Sequence, residues 1–200
     1  MKLAILSAIV ALSATTVSAS SNGTIYVYAD DIAHPKTTFL KKGSNNHLVT
    51  DGAACNGKKT LPGTGGALSG VLIDMPNQWD FNGAHDNEIR LGYIKVGKKC
   101  LTLTKGHPLS LAACPSFTEE VKVGNKFAWF HDSRSSACWA YGGDADADED
   151  KGLTLAVQNL QTKGKTLNGV VIPDDLDKKA FIGLGSVNIG NAGHTPTGCK

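Results

Sequence analysis

The chain has 200 residues, of which 41% are hydrophobic, 19% charged and 6% aromatic, with 23 Gly against 7 Pro. Disorder would need fewer apolar residues and more net charge, and collagen a strict glycine period, so both are excluded. A formal net charge of +2 offers no basic field for a nucleic acid, and the length suits one core.

The N-terminus reads as a leader. Lys2 precedes a largely apolar run from Leu3 to Leu12, and Val17, Ser18 and Ala19 supply the small residues that signal peptidase accepts. Cleavage is expected after Ala19, so residues 1–19 are a signal peptide and 20–200 a single secreted β domain. A membrane span needs about 20 apolar residues, and Ser7, Ser13, Thr15 and Thr16 interrupt this one. No later run is long and apolar enough for membrane insertion, and the end, Thr197 to Lys200, lacks the apolar tail of a GPI signal. The expected location is extracellular or in a cell wall. Losing Lys2 leaves 19 basic against 18 acidic residues, a net charge of +1. The Lys pairs at 41 and 42, 58 and 59, 98 and 99, and 178 and 179 are scattered in turn-like surroundings, which is a solvated surface rather than a nucleic-acid patch.

Asn22-Gly23-Thr24 is the one N-glycosylation sequon, close to the expected new N-terminus, and makes Asn22 a candidate glycan acceptor.

From Asn22 onward, the apolar pattern is short and broken. Thr24–Ala29, Leu68–Asp74, Ile89–Val96, Cys100–Thr104, Leu109–Ala112, Phe127–Phe130, Ala137–Tyr141, Leu153–Val157 and Gly169–Ile172 all read as strands, several alternating apolar with polar. Asn56-Gly57, Asn82-Gly83, Gly142-Gly143 and Asn168-Gly169 mark turns between them. Helical signal is confined to Ser116–Glu119, which has capping-box spacing, and Pro173–Lys179, with acids early and bases late. The expected fold is all-β and antiparallel, a β-trefoil-like barrel with a β-sandwich as the alternative.

All five Cys follow the leader, where oxidising conditions favour disulfides. Five choices of spare thiol and three pairings of the rest leave the connectivity open. The nearest pair, Cys100 and Cys114, closes a short loop between two strand-like runs and is the first choice, worth about 3 kcal/mol in the chain-entropy model. Cys199 would tie down the C-terminus, with Cys55 or Cys138 as its partner.

The run Ile89-Arg90 to Gly97-Lys98-Lys99-Cys100-Leu101-Thr102-Leu103, then His107 to Cys114, then Phe127-Ala128-Trp129-Phe130, resembles one repeat of a ricin-B-type β-trefoil lectin. Ala137–Gly143 followed by Gly152–Val157 resembles a degenerate next repeat, so the resemblance covers about residues 88–157. It implies a strand entering a Gly-Lys-Cys-Leu-like turn, a second Cys bridged back to the first, and Trp129 as a core Trp. It also implies a sugar-binding Asp close to the first Cys and a Gln two residues before the Trp. Thr102 and Ala140 stand where that Asp is expected, and Phe127 replaces the Gln, so the family's usual sugar chemistry does not carry over. Fold then does not fix function.

Aromatic rings offer another route to glycans. An exposed ring beside an acid stacks on a sugar face. Trp139, Tyr141 and the neighbouring Asp144 are candidates, as is Trp79 in its polar, turn-like segment, with Trp129 assigned to the core. The acidic run Asp144, Asp146, Asp148 and Asp150 has the alternate carboxylates of a calcium loop. Glu149 occupies the place of the EF-hand Gly and Leu155 that of its bidentate Glu, so a solvated acidic loop and no cofactor is the expectation.

For an enzyme, His47, Glu88, Arg90 and His131 are the residue types of small secreted ribonucleases. Adjacent pairs such as His131-Asp132 and His85-Asp86 point to opposite faces of a strand and are not dyads. No hydrolase or zinc-protease motif is present. The expected function is therefore non-catalytic binding of a glycan or another extracellular surface. The alternatives are a structural or host-directed secreted protein without a sugar site, and a small hydrolase.

Overall fold

Alternation decides which residues become strands. In β1 (Asn22–Ala29), Ile25, Val27 and Ala29 join one buried cluster while Tyr26 and Tyr28 join another on the opposite face. In a computed structural model of the chain, the structure describes residues 22–29, 36–53, 68–74, 89–116, 124–133, 137–141, 152–156, 164–171 and 179–185. The further strands are β2 (Lys36–Lys42), β3 (Leu48–Ala53), β4 (Ser69–Asp74), β5 (Ile89–Val96), β6 (Lys99–Thr102), β7 (Ser110–Ala113), β8 (Trp129–Asp132), β9 (Ala137–Ala140), β10 (Leu153–Ala156), β11 (Gly169–Val171) and β12 (Lys179–Gly185). Among the described residues there is no α-helix, only a 3-10 turn at Ser44–Asn46.

Every one of the nine strand-like runs is a strand, with ends shifted by a residue or two. Three further strands, β2, β3 and β12, were not expected. In β2 and β3 the inward positions explain why: Thr38 and Leu40, and Leu48 and Thr50, are buried, and a buried threonine reads as polar, whereas β12 buries the apolar Ala180, Ile182 and Leu184. Such threonines are satisfied by backbone, as where Thr154 Oγ1 donates to the Ala180 carbonyl and Thr50 Oγ1 accepts from Lys165 N at 2.9 Å. Lys179, the last residue of one expected helix, opens β12, and Ser116, the first residue of the other, is not helical. The remainder of both segments lies outside the described residues.

Hydrogen bonding runs in a closed circuit. β1 pairs with β4, β4 with β5, β5 with β8, β8 with β9, β9 with β12 and β12 with β1, and β10 bonds both β9 and β12 as a seventh strand. Every pairing is antiparallel. The result is a closed seven-strand barrel, not the two-sheet sandwich expected as the alternative, and closure leaves no free edge in the wall.

The closing seam sets Ile25 opposite Leu184 and Thr24 opposite Gly185. Glycine is required along it for space. A Cβ on Gly23 would lie 2.4 Å from the Gly185 backbone, and one on Gly183 would lie 2.0 Å from the Tyr26 ring. Gly183→Ala should therefore displace Tyr26 and cost about 1–3 kcal/mol in a urea melt.

One end of the barrel is capped. The β2–β3 and β6–β7 hairpins and the segment entering β11 meet there through bridges from His47 to Ser110, Val49 to Thr166 and Pro108 to Asn168. Leu48 N donates to Leu109 O at 2.8 Å and Leu109 N to Leu167 O at 2.9 Å, and all three leucines are buried. Trp129 fills the barrel above them, fully buried, its Nε1 donating to Leu101 O at 3.2 Å. The opposite end carries Asp74, the last residue of β4, with Arg90, His131 and Leu184 each one residue in from the ends of β5, β8 and β12.

Candidate functional site

The barrel has two faces, and the outer one is aromatic. Eight of the thirteen aromatic residues, including all four Tyr, lie in the cluster outside the barrel wall. β1 supplies Tyr26 and Tyr28, β5 Tyr93, β8 Phe130, β9 Trp139 and β12 Phe181, with Phe127 and Tyr141 just beyond β8 and β9. The alternation that puts Ile25 and Val27 inside puts these rings outside.

Trp139 is not the surface ring expected of it. It is only 9% exposed and stacks on Phe130 with centroids 5.5 Å apart. Cross-strand pairing is the reason, since Phe130 lies directly opposite Trp139 in the β8–β9 register. Tyr141 meets Phe130 edge-on at 5.2 Å and remains half-buried, held by its own N–H donating to Ala128 O at 2.9 Å. Phe127 and Tyr93 are half-buried in the same cluster, and Lys126 Nζ lies 5.3 Å from the Phe127 ring centroid. Burial pushes the Tyr141 hydroxyl above its ordinary value. It takes that of Tyr26 to about 12, with Cys138 adding to the effect, so both stay protonated hydrogen-bonding groups at neutral pH.

Asn22 is exposed at the start of β1, and Thr24 of the same sequon is half-buried. Trp79, Asp144, Asp146, Asp148 and Asp150 lie outside the described residues. Leu155, at the position an EF-hand gives to its bidentate Glu, is fully buried in the barrel core. Among the described residues, no group of His, Cys, Asp or Glu is placed to hold a metal.

Cys100 and Cys114 form a disulfide linking β6 to the end of β7. Cys138, one of the two partners considered for Cys199, is instead a buried free thiol. Burial, helped by Asp132, pushes its ionisation far up, so it is a packed hydrophobe and not a nucleophile. Cys55 and Cys199 lie outside the described residues.

Charged groups gather inside the uncapped end. Arg90 lies opposite His131 and His131 opposite Cys138, a row across the inner wall of β5, β8 and β9. Arg90 Nη2 donates to Asp74 Oδ2 in a mostly buried ion pair, whereas Asp74 Oδ1 has no partner among the described residues. His131 is 3% exposed, and its Nε2 lies 3.3 Å from Leu184 O. A carbonyl only accepts, so Nε2 carries the proton and Nδ1 keeps a lone pair, which has no partner among the described residues. Burial holds His131 below its ordinary value of 6.5; Arg90 lowers it further, while the Leu184 bond and Asp132 oppose them.

The ribonuclease-type residues are not brought together. His47 sits half-buried at the cap, His131 inside the opposite end, and Glu88 lies outside the described residues. No protein-family model matches the chain, and no curated protein matches it in sequence.

Sequence reasoning did not find the aromatic wall or the Arg90–Asp74 pair. A usable signal existed: Arg90 has the parity of Gly92 and Ile94, the inward positions of β5, while Tyr93 has that of Leu91.

Proposed function

We propose that this chain is a secreted, non-catalytic binding domain of β-trefoil type, which recognises a glycan or glycan-bearing extracellular surface through Tyr141, Tyr93 and Phe127. The trefoil reading is supported by strand usage. The first and fourth strands of each successive set of four, β1 and β4, β5 and β8, β9 and β12, make the circuit, while the intervening pairs are hairpins. Leu48 opens the third strand of its set, Leu109 lies one residue before and Leu167 two residues before theirs, and the three meet at the cap.

The observation that carries the binding reading is the half-exposed ring group beside Lys126. Rigid rings fixed by a barrel wall stack on a sugar face with little ordering cost, and tyrosine hydroxyls and a lysine supply polar contacts at its rim. This group is distinct from the repeat site that Thr102 and Ala140 leave without an Asp. Asp144, three residues beyond Tyr141, belongs to the same reading as an acceptor for sugar hydroxyls.

A glycan array with the secreted protein tests it. Tyr141→Ala should weaken any glycan bound by about tenfold or more, as expected for loss of a stacking ring, and leave the melting temperature nearly unchanged. Failure to bind plant, fungal and animal glycans alike would refute the reading and leave a structural or host-directed secreted protein.

A further inference from the structure

His131 ties together two strands that are not neighbours. β9 lies between β8 and β12 in the circuit, yet His131 on β8 reaches the Leu184 carbonyl on β12 through the barrel interior. Leu184 itself sits opposite Ile25 at the seam where β12 meets β1 and the barrel closes. In the neutral ring Nε2 is the donor of this tie, and Nδ1 has no partner among the described residues.

We infer that this end of the barrel is an acid-sensitive latch: protonation of His131 loosens the closure between β12 and β1, while the capped end stays intact. A proton on Nδ1 creates a buried donor and a buried charge at once. Its surroundings answer neither well. From β5, Arg90 faces it with a like charge; from β9, Cys138 presents a neutral thiol; and from β12 comes only the carbonyl already used. On β4, Asp74 is engaged by Arg90 through Oδ2, and its Oδ1 makes no hydrogen bond to the His131 ring. Asp132, next along β8, attracts the charged ring from the outward side of the strand. Burial and Arg90 outweigh that attraction, which agrees with the lowered ionisation of His131.

The sign follows. The folded form binds its proton below 6.5 and the unfolded form near 6.5, so the unfolded chain holds more protons between the two values. The contribution of neutral His131 is complete above 6.5 and falls away as the pH drops from 6.5 through the folded value. The loss is about tenfold in the opening equilibrium for each pH unit within that window.

Hydrogen exchange on the full chain, compared between about pH 7.5 and about pH 5 after correction for intrinsic rates, reads the latch directly. Acid should speed exchange in 179–185 and 22–29 by up to about tenfold for each pH unit between 6.5 and the folded value, and leave the disulfide-bonded β6–β7 hairpin unchanged. Cys138, buried at the same end, should gain reactivity toward a dithiodipyridine in acid, read by mass spectrometry of its peptide. His131→Gln keeps a donor for Leu184 and cannot titrate in this range, so it should abolish the acid effect. Equal exchange at both pH values, or an acid effect undiminished in the variant, would overturn the latch. Should the variant not fold, NMR titration of the wild-type ring decides: a midpoint below 6.5 with the Nδ1 lone pair free supports the latch, and a midpoint at or above 6.5 refutes it.

Discussion

Trp129→Ala should cost about 3–5 kcal/mol of folding stability, the range for truncating a large, fully buried aromatic. Small domains hold only about 5–15 kcal/mol in all, so the variant should unfold at a much lower urea concentration or fail to accumulate. Two losses combine. The indole is fully buried among the leucines between wall and cap, so its removal leaves a cavity that a barrel closed by hydrogen bonds on every side is poorly able to collapse. Its Nε1–H also satisfies the Leu101 carbonyl. Trp129→Phe separates the two, retaining most of the volume and losing the bond, and should cost about 1–2 kcal/mol. A Trp129→Ala protein as stable as wild type would mean that this ring does not organise the core.

Removing the disulfide is the other large effect. Cys100 and Cys114 are 14 residues apart, and releasing a loop of that size returns about 3 kcal/mol of chain entropy to the unfolded state. The double variant Cys100→Ala with Cys114→Ala should melt about 6–12 °C lower, scaled to a domain of this length. Alanine suits the test because Cys100 is fully buried and a serine hydroxyl there would add its own penalty. The loss should also be local, with β6 and β7 exchanging amide protons sooner than the barrel strands. A melt unchanged by the double variant would place the hairpin's stability in its packing on the cap instead.

Outside the core, the outer wall carries the functional question. In an aromatic-poor protein, placing eight rings there makes the wall a second packed layer, and Trp139 and Phe130 are spent on that layer. Among the described residues, Tyr26, Tyr93, Phe127, Tyr141 and Phe181 are the rings of that layer left half-buried. The inner uncapped end is polar for a different reason: Arg90 pairs with Asp74 Oδ2 there, and burial holds the ionisation of His131 down.

Much of this was legible beforehand, and the limits are physical. Period-two alternation marks strands wherever the inward residues are apolar, as in Leu68–Asp74 and Ile89–Val96, and Gly-rich turns separate them. The same rule is blind to β2 and β3, whose buried faces include Thr38 and Thr50, because a threonine bonded to backbone inside a barrel carries the same letters as one in water. The spacing of Cys100 and Cys114 pointed to their bond. Cys138 gave no sign of staying free, because that depends on which strands enclose it.

Length, composition and alternation by themselves pointed to an all-β, antiparallel chain, because a strand's two faces are written in consecutive residues. Which face is inside, which rings pair across strands and which charges share a barrel end were decided only by tertiary structure. Those are contacts between residues far apart in sequence: Phe130 covers Trp139, Arg90 meets Asp74, and His131 reaches Leu184 past an intervening strand. The register of the closed circuit sets all three, and no local pattern encodes that register.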